Sequence, residues 1–178
     1  PVVVHALAAD QPDVAVPLLS RSPLLLDDDL VDLIATGHPE AQTAIAGRPM
    51  LSRSLAAAIA EVGTAEACLT LLQNADAEIA LFSIDRIVER FGDVVSIREN
   101  LMARDDLPMA TRQALLSKLS QTLAGFVAAR HWLGPEHAEY AAREACERAT
   151  VALAAETPYQ EVAELMRHLR VSGQLTAG

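Results

Sequence analysis

The chain has 178 residues, 51% of them hydrophobic and only 3% aromatic, and its formal net charge is −10 at pH 7. The negative charge argues against non-specific binding to nucleic acid or to an anionic membrane surface. Apolar runs stay shorter than the ~18 residues of a membrane span. With no recognisable signal peptide, the expected location is the cytoplasm.

Alanine and leucine dominate the hydrophobic residues, and both favour helix. The alternation of β-branched and aromatic residues with polar ones that is typical of strands is missing from the sequence. We therefore predict an all-α protein.

A Leu/Ala-rich pattern returns about every 26 residues through the first two-thirds of the chain. Its copies lie at residues 18–23, 44–49, 71–76 and 101–106. Self-similarity at such a period is typical of stacked repeat arrays, because one short helix pair cannot bury its own apolar face. We predict a right-handed α-solenoid of short two-helix repeats over residues 1–107.

Each repeat is predicted to contain a helix A and a helix B. The A helices are expected near residues 13–20, 40–47, 64–73 and 94–103. The B helices are expected near residues 27–36, 52–62 and 76–91 and from residue 108 onward. The predicted N-caps are Asp27 or Asp28, Ser52, Thr64 and Asp93. The B helices are expected to end in left-handed glycines at Gly37, Gly63 and Gly92.

Residues 108–178 follow a different pattern, and we predict a long helical hairpin and a final helix packed on the array. The first long helix, 108–131, places apolar residues on one face at Leu115, Leu119, Leu123, Phe126 and Val127. Gly134 and Pro135 break the pattern before a second helix over about 135–156. That helix carries an alanine stripe at Ala138, Ala141, Ala142, Ala145, Ala149 and Ala152.

The final helix is predicted over residues 159–171. Thr157 and Gln160 have the spacing of a capping box at its start. Its expected apolar residues are Val162, Leu165, Met166 and Leu169. Because the chain ends soon after this helix, we expect the native protein to continue beyond residue 178.

Three segments, residues 21–30, 44–52 and 168–176, resemble a bacterial family called domain of unknown function 2336. The resemblance covers roughly residues 10–178. The order of the motifs indicates the family more specifically than any single motif does. The repeats are also similar to HEAT-like and leucine-rich-repeat-variant arrays, although a HEAT unit is longer, at ~40 residues. The resemblance supports a helical repeat fold and implies no catalytic residue.

Arginines recur at related turns, at Arg21, Arg48 and Arg104, and Asn74 interrupts their row. Together with Arg112 they define a candidate interaction surface. Such a row contacts phosphates in some DNA-binding repeats, but here acidic neighbours oppose it. We favour an intramolecular use, in which each guanidinium bonds the C-terminal carbonyls of a neighbouring helix.

The densest group of candidate functional residues is His131, Trp132 and His137, at the turn of the predicted hairpin. A zinc site across this turn is one alternative, although the His-Glu-x-x-His spacing is absent. The other alternative, which we favour, is a structural turn in which Trp132 packs into the hairpin and the two histidines are half-exposed. We assign no metal and no cofactor.

Two smaller features have structural interpretations. The run Asp27–Asp29 lacks the alternating ligands and the glycine of a calcium loop, and it favours a helix start instead. Cys68 and Cys146 are isolated and are expected to be small buried residues rather than a disulfide or a metal site.

The sequence leaves three functional hypotheses open. The first is a non-enzymatic scaffold or adaptor that binds a protein or peptide. The second is a nucleic-acid-binding repeat that uses the arginine-rich segment 98–130, which the net charge disfavours. The third is a metal-dependent enzyme at His131 and His137. An exposed alanine stripe would also permit a homodimer.

Overall fold

The computed structural model describes residues 12–104, 106–155 and 158–173. Within these ranges the protein is all-α: it has ten helices and no strand. The first seven are α1 Pro12–Arg21, α2 Asp27–Thr36, α3 Pro39–Ala46, α4 Arg53–Val62, α5 Ala65–Gln73, α6 Leu81–Phe91 and α7 Val95–Met102. The last three are α8 Met109–Ala129, α9 Pro135–Ala155 and α10 Tyr159–Val171. The chain divides into two compact units between Leu101 and Met102.

The first unit contains two layers of helices. Helices α1, α3 and α5 pack against one another in succession, and α2, α4 and α6 do the same in the second layer. Consecutive helices also contact each other across the layers, as α2 and α3 do. The core between them is aliphatic and contains Leu19, Leu30, Ile34, Ile45, Ile59, Leu71, Ile84 and Ile87. Burial of these side chains supplies the main stabilisation of the unit.

Two of the predicted caps are confirmed. Ser52 accepts a hydrogen bond from the Leu55 N–H, and Thr64 accepts one from the Ala67 N–H. Each hydroxyl thereby satisfies a backbone donor that the first helical turn leaves free.

The other two predicted caps are wrong. Helix α2 has Leu26 at its N-cap, and the carboxylate of Asp29 reaches back to accept from the Leu26 N–H at 3.1 Å. The acidic run thus lies inside the first helical turn, where its charge favours the helix dipole. Asp93 is not a cap, because α7 begins two residues later, at Val95.

The glycines that end the B helices do not adopt the predicted left-handed conformation. Gly37, Gly63 and Gly92 all have negative φ angles. Two of them are instead needed for close approach: a Cβ atom would lie 2.1 Å from the Leu33 carbonyl oxygen at Gly37 and 2.5 Å from the Ile59 carbonyl oxygen at Gly63. Gly37 and Gly63 are therefore explained by backbone crowding rather than by positive φ.

Helix α6 begins at Leu81, not at residue 76 as predicted. The intervening residues run along the preceding turn, where the Glu78 N–H donates to the Leu51 carbonyl at 3.0 Å. The Asn74 side chain also accepts from the Asp76 N–H at 3.1 Å. This local turn competes with helix formation and delays the helix start.

In the second unit, α8 packs along α9 and also contacts α10. The bounds of all three helices agree closely with the sequence prediction. Helix α10 has Pro158 at its N-cap, and the predicted cap Thr157 lies outside the described residues. Of the apolar residues expected on α10, Leu165 is buried and Met166 is exposed.

The predicted core face of α8 is only partly correct. Leu115 is buried, but Leu123 and Phe126 are exposed. The α8 residues buried in their place are Thr111, Gln113 and Ala124, alongside Leu115. The alanine stripe of α9 is likewise divided: Ala138 is buried, Ala142 and Ala149 are half-buried, and Ala141, Ala145 and Ala152 are exposed.

Candidate functional site

Arg48 joins the turn of one helix pair to the turn of the pair before it. Its guanidinium donates to the carbonyl of Leu19, near the end of α1, and to the carbonyl of Ser22 at 2.9 Å. Burial lowers the pKa of the Arg48 guanidinium from its ordinary value, and the carboxylate of Asp27 offsets this in part. This is the intramolecular use that the sequence favoured, since the donors face carbonyls left free by a helix end.

Asn74 makes the equivalent connection one repeat later. Its side-chain amide donates to the Ala46 carbonyl at 2.9 Å and to the Arg48 carbonyl at 2.7 Å. Asn74 therefore does not interrupt the row, because it connects its turn to the preceding one as Arg48 does, with a shorter side chain. The Arg48–Ser22 and Asn74–Arg48 bonds both join residues 26 apart, which is the period of the sequence pattern.

A third connection, at Arg90, has no counterpart in the sequence prediction. Arg90 donates to the carbonyls of Ala60 and Gly63, each at 2.7 Å. Nearby, Arg86 bonds both carboxylate oxygens of Glu61 at 2.8 Å. Only the repeat spacing could have indicated these pairs, because their partners are 25 to 30 residues away in the chain.

The remaining arginines of the candidate surface have different surroundings. Arg21 is exposed at the end of α1. In the second unit, Arg104 forms an ion pair with Asp106 at 2.8 Å and lowers the pKa of that carboxyl. Arg112 donates to the carbonyls of Leu107 and Arg104. Arg104 and Arg112 thus bond groups of their own chain rather than forming a row of unengaged charges.

Trp132 does not plug the hairpin turn, contrary to the sequence prediction. Its side chain is 66% exposed and meets the Phe126 ring edge to face, with ring centroids 5.8 Å apart. His131 and His137 are both exposed. Within the described ranges, no three His, Cys, Asp or Glu side chains cluster closely enough to hold a metal ion.

The backbone explains the position of His131. Its φ angle is +55°, and it follows α8 as the left-handed residue of a C-terminal motif. The His131 N–H bonds the Ala128 carbonyl, and the Trp132 N–H bonds the Val127 carbonyl. This is the Schellman arrangement, in which glycine is the favoured residue.

We expect His131→Gly to raise the free energy of unfolding by about 0.5–1 kcal/mol, because glycine removes the strain of a positive φ angle. Arg130→Gly is the matched control, since Arg130 has a helical φ of −85°. Glycine at that position should lower the free energy by about 1 kcal/mol. Urea unfolding followed by circular dichroism measures both, and equal effects at the two positions would contradict the assignment.

A cavity of ≈ 1140 Å³ lies in the second unit. Residues from α8 and α9 line much of it, among them Gln113, Ser117, Ala124, Ala142, Cys146 and Thr150. The Cys146 sulphur lies 3.6 Å from the Ser117 Oγ. The lining also includes larger side chains, such as those of Tyr140, Arg143 and Leu169.

The two cysteines differ in burial. Cys68 is fully buried, as predicted, and burial raises the pKa of its thiol to about 11. Cys146 is only half-buried. Both are free thiols.

Several apolar side chains are exposed at the turns between paired helices or in the first helical turn that follows. We call this set the apolar turn edge: Leu24, Leu26, Met50, Leu81 and Phe82. In the first two of these turns one apolar residue is buried in the core, namely Leu25 and Leu51. Leu24 and Met50 precede them at equivalent repeat positions, and neither is buried.

The family comparison covers nearly the whole chain. Residues 14–178 match the model of a family described as "Uncharacterised protein conserved in bacteria (DUF2336)". The chain belongs to this family. The resemblance seen in the sequence is thereby confirmed, and DUF2336 gives the chain a bacterial family without an assigned activity. Comparison with curated proteins and with solved structures gave no match.

Among the helices of the described residues, none combines the length and the apolar character that crossing a membrane requires.

Proposed function

We propose that this DUF2336 chain is a non-enzymatic interaction scaffold of the bacterial cytoplasm, built as an α-solenoid of short HEAT-like helix pairs. Its ligand is a protein or a peptide. The observation that carries the proposal is the apolar turn edge, where equivalent turns of a stacked array leave apolar side chains in solvent. Exposed apolar residues that recur in one place are typical of interaction surfaces.

The connections between turns support the proposal. Arg48 and Asn74 each fix one turn to the preceding one through two hydrogen bonds to backbone carbonyls. A surface held in this way loses little conformational freedom on binding, and a preorganised surface binds more tightly for the same contacts.

The nucleic-acid alternative has less support from the geometry. In the segment 98–130, Arg98 donates to the Gly92 and Asp93 carbonyls, and Arg104 pairs with Asp106. Such guanidiniums would have to exchange these partners for phosphates. Nucleic-acid binding is therefore the outcome that the test below must distinguish from binding to a protein.

The test is affinity capture of partners from the native cytosol with the full chain as bait, with and without nuclease treatment. Each captured protein is then purified and its direct binding to the chain is measured. We expect at least one protein that survives nuclease treatment and binds directly. Recovery of nucleic acid alone, with binding that falls steeply as salt rises, would replace the scaffold by the nucleic-acid hypothesis.

A further inference from the structure

We infer that the apolar turn edge binds a basic amphipathic helix, a peptide segment with apolar residues on one face and Lys or Arg beside them. This inference rests on the proposed scaffold function and names the surface and the partner class. The edge belongs entirely to the first unit, and each of its five side chains has more than half of its surface exposed.

Hydrogen bonds place the three turns side by side. The Asp27 carboxylate, just after Leu26, accepts hydrogen bonds from Ser52 and Ser54, which follow Met50. The Arg53 guanidinium then bonds Glu78 at 3.0 Å, in the segment that leads to Leu81. The turns that carry the exposed side chains are therefore neighbours in space.

Packing of the protein does not explain these side chains. In the first two turns, the adjacent residues Leu25 and Leu51 already bury the apolar group that the turn contributes to the core. Met50 is 88% exposed and holds a φ angle of +51°, a conformation that costs energy for any residue with a side chain. Glycine or asparagine would adopt this conformation at lower cost, so stability does not favour methionine at this position. A flexible thioether side chain is instead well suited to contact with a varied apolar surface.

The charge around the apolar turn edge indicates the charge of the partner. Six carboxylates and three guanidiniums lie in the turn segments 21–32, 48–54 and 74–82. Groups of both signs have partners within the protein: Arg48 bonds carbonyls, Arg53 pairs with Glu78, and Asp27 accepts from Ser52 and Ser54. The edge is therefore net acidic on a chain whose formal charge is −10, which favours a basic ligand.

The spacing of the turns favours a partner that binds as a helix. Helices packed side by side in one layer lie about 8–10 Å apart, so equivalent side chains of adjacent turns are separated by a similar distance. Residues seven apart in a helix are separated by about 10.5 Å along its axis and lie on the same face. A helix with apolar residues at seven-residue spacing can thus place one anchor on each turn.

The test uses a synthetic peptide of three heptads, with Leu or Phe at the anchor positions and Lys or Arg beside them. Its binding to the full chain is measured by fluorescence anisotropy. Two control peptides accompany it: one with Glu in place of every Lys and Arg, and one with the same composition in scrambled order. We expect both controls to bind at least about tenfold more weakly than the basic helix.

The protein variants identify the surface. The triple variant L26Q/M50N/F82Q makes the edge polar, and asparagine retains access to the positive φ angle at residue 50. We expect it to weaken binding by at least about tenfold, since exposed apolar anchors carry much of the energy of such interfaces. The matched control is Val62→Gln, an exposed apolar residue at the opposite end of α4, which should change binding by less than about twofold. Circular dichroism confirms that every variant keeps its helix content.

Several outcomes would overturn the inference. The edge is not the site if the triple variant binds the basic peptide as well as the wild type does, or if Val62→Gln weakens binding equally. The partner class is wrong if no peptide binds, or if the scrambled or acidic peptide binds equally well. Sedimentation showing a dimer that the triple variant dissociates would assign the edge to a second copy of the chain. In each case a directly binding partner from the capture experiment would leave the scaffold function standing.

Discussion

Arg48→Ala is expected to lower the free energy of unfolding by about 2–3 kcal/mol, because two carbonyls lose a charged donor in a half-buried position. The Arg48 guanidinium reaches the carbonyls of Leu19 and Ser22 from the following repeat, so its loss weakens the contact between two helix pairs. Urea unfolding followed by circular dichroism measures the change, and amide hydrogen exchange around α1 and its turn shows where it occurs.

Arg21→Ala is the matched control, because Arg21 occupies the related turn position in the sequence and is exposed. Substitutions at such surface positions change the free energy of unfolding by about 0.5 kcal/mol or less. Arg48→Lys should recover only part of the loss, since an ammonium cannot reproduce the fixed geometry of a guanidinium that bonds two acceptors. Equal effects of the Arg21 and Arg48 substitutions would show that the bonds to the carbonyls do not stabilise the fold.

Local features of the sequence predict most helix bounds correctly. The caps at Ser52 and Thr64 act on residues three positions away, and a helix start depends mainly on its own first turn. The long helices of the second unit are similarly marked by Pro135 at the start of α9 and by a regular apolar pattern. Such features can be predicted because the residues that decide them are neighbours in the chain.

The errors occur where a residue depends on a distant partner. Helix α6 starts late because the segment before it bonds Leu51 in the preceding repeat. Gly63 is fixed by crowding against the Ile59 carbonyl rather than by a left-handed conformation. The apolar pattern of α8 predicts Leu123 and Phe126 in the core, but both are exposed. Helix α8 has more than one face that could pack, and the sequence does not show which of them α9 approaches.

In the candidate site, too, local features can be predicted from the sequence and contacts with distant partners cannot. The recurrence of Arg48 at a repeat turn is visible in the sequence, and its bonding to carbonyls follows from the chemistry of helix ends. The roles of Asn74 and Arg90 are not visible in the sequence. Asn74 bonds the carbonyls of the preceding turn with a different type of side chain, and Arg90 bonds such carbonyls from a different position in the repeat. The apolar turn edge also escapes prediction, because Leu24 and Leu25 are identical residues and only the turn geometry decides which of them is buried.

Asn74→Asp is expected to be more destabilising than Asn74→Ala, with losses of about 3–4 and about 2 kcal/mol respectively at neutral pH. Alanine removes the two hydrogen bonds to the Ala46 and Arg48 carbonyls and also the acceptor of the Asp76 N–H. A carboxylate keeps that acceptor, but it loses both bonds to the carbonyls and places negative charge against the two carbonyl oxygens. Asn100→Asp is the matched control and should cost less, because the Asn100 amide donates to a single carbonyl in its own helix.

The pH dependence separates this electrostatic cost from simple loss of a contact. The two carbonyls should raise the pKa of the introduced carboxyl in the folded state above its unfolded value. A raised folded pKa means that the protonated form favours folding, so the deficit of the Asn74→Asp variant should be smallest below the unfolded pKa of about 3.9. The deficit should then grow as the pH rises through the folded pKa, whereas that of Asn74→Ala should stay constant. Parallel pH profiles for the two variants would mean that Asn74 acts through shape alone and does not bond the two carbonyls.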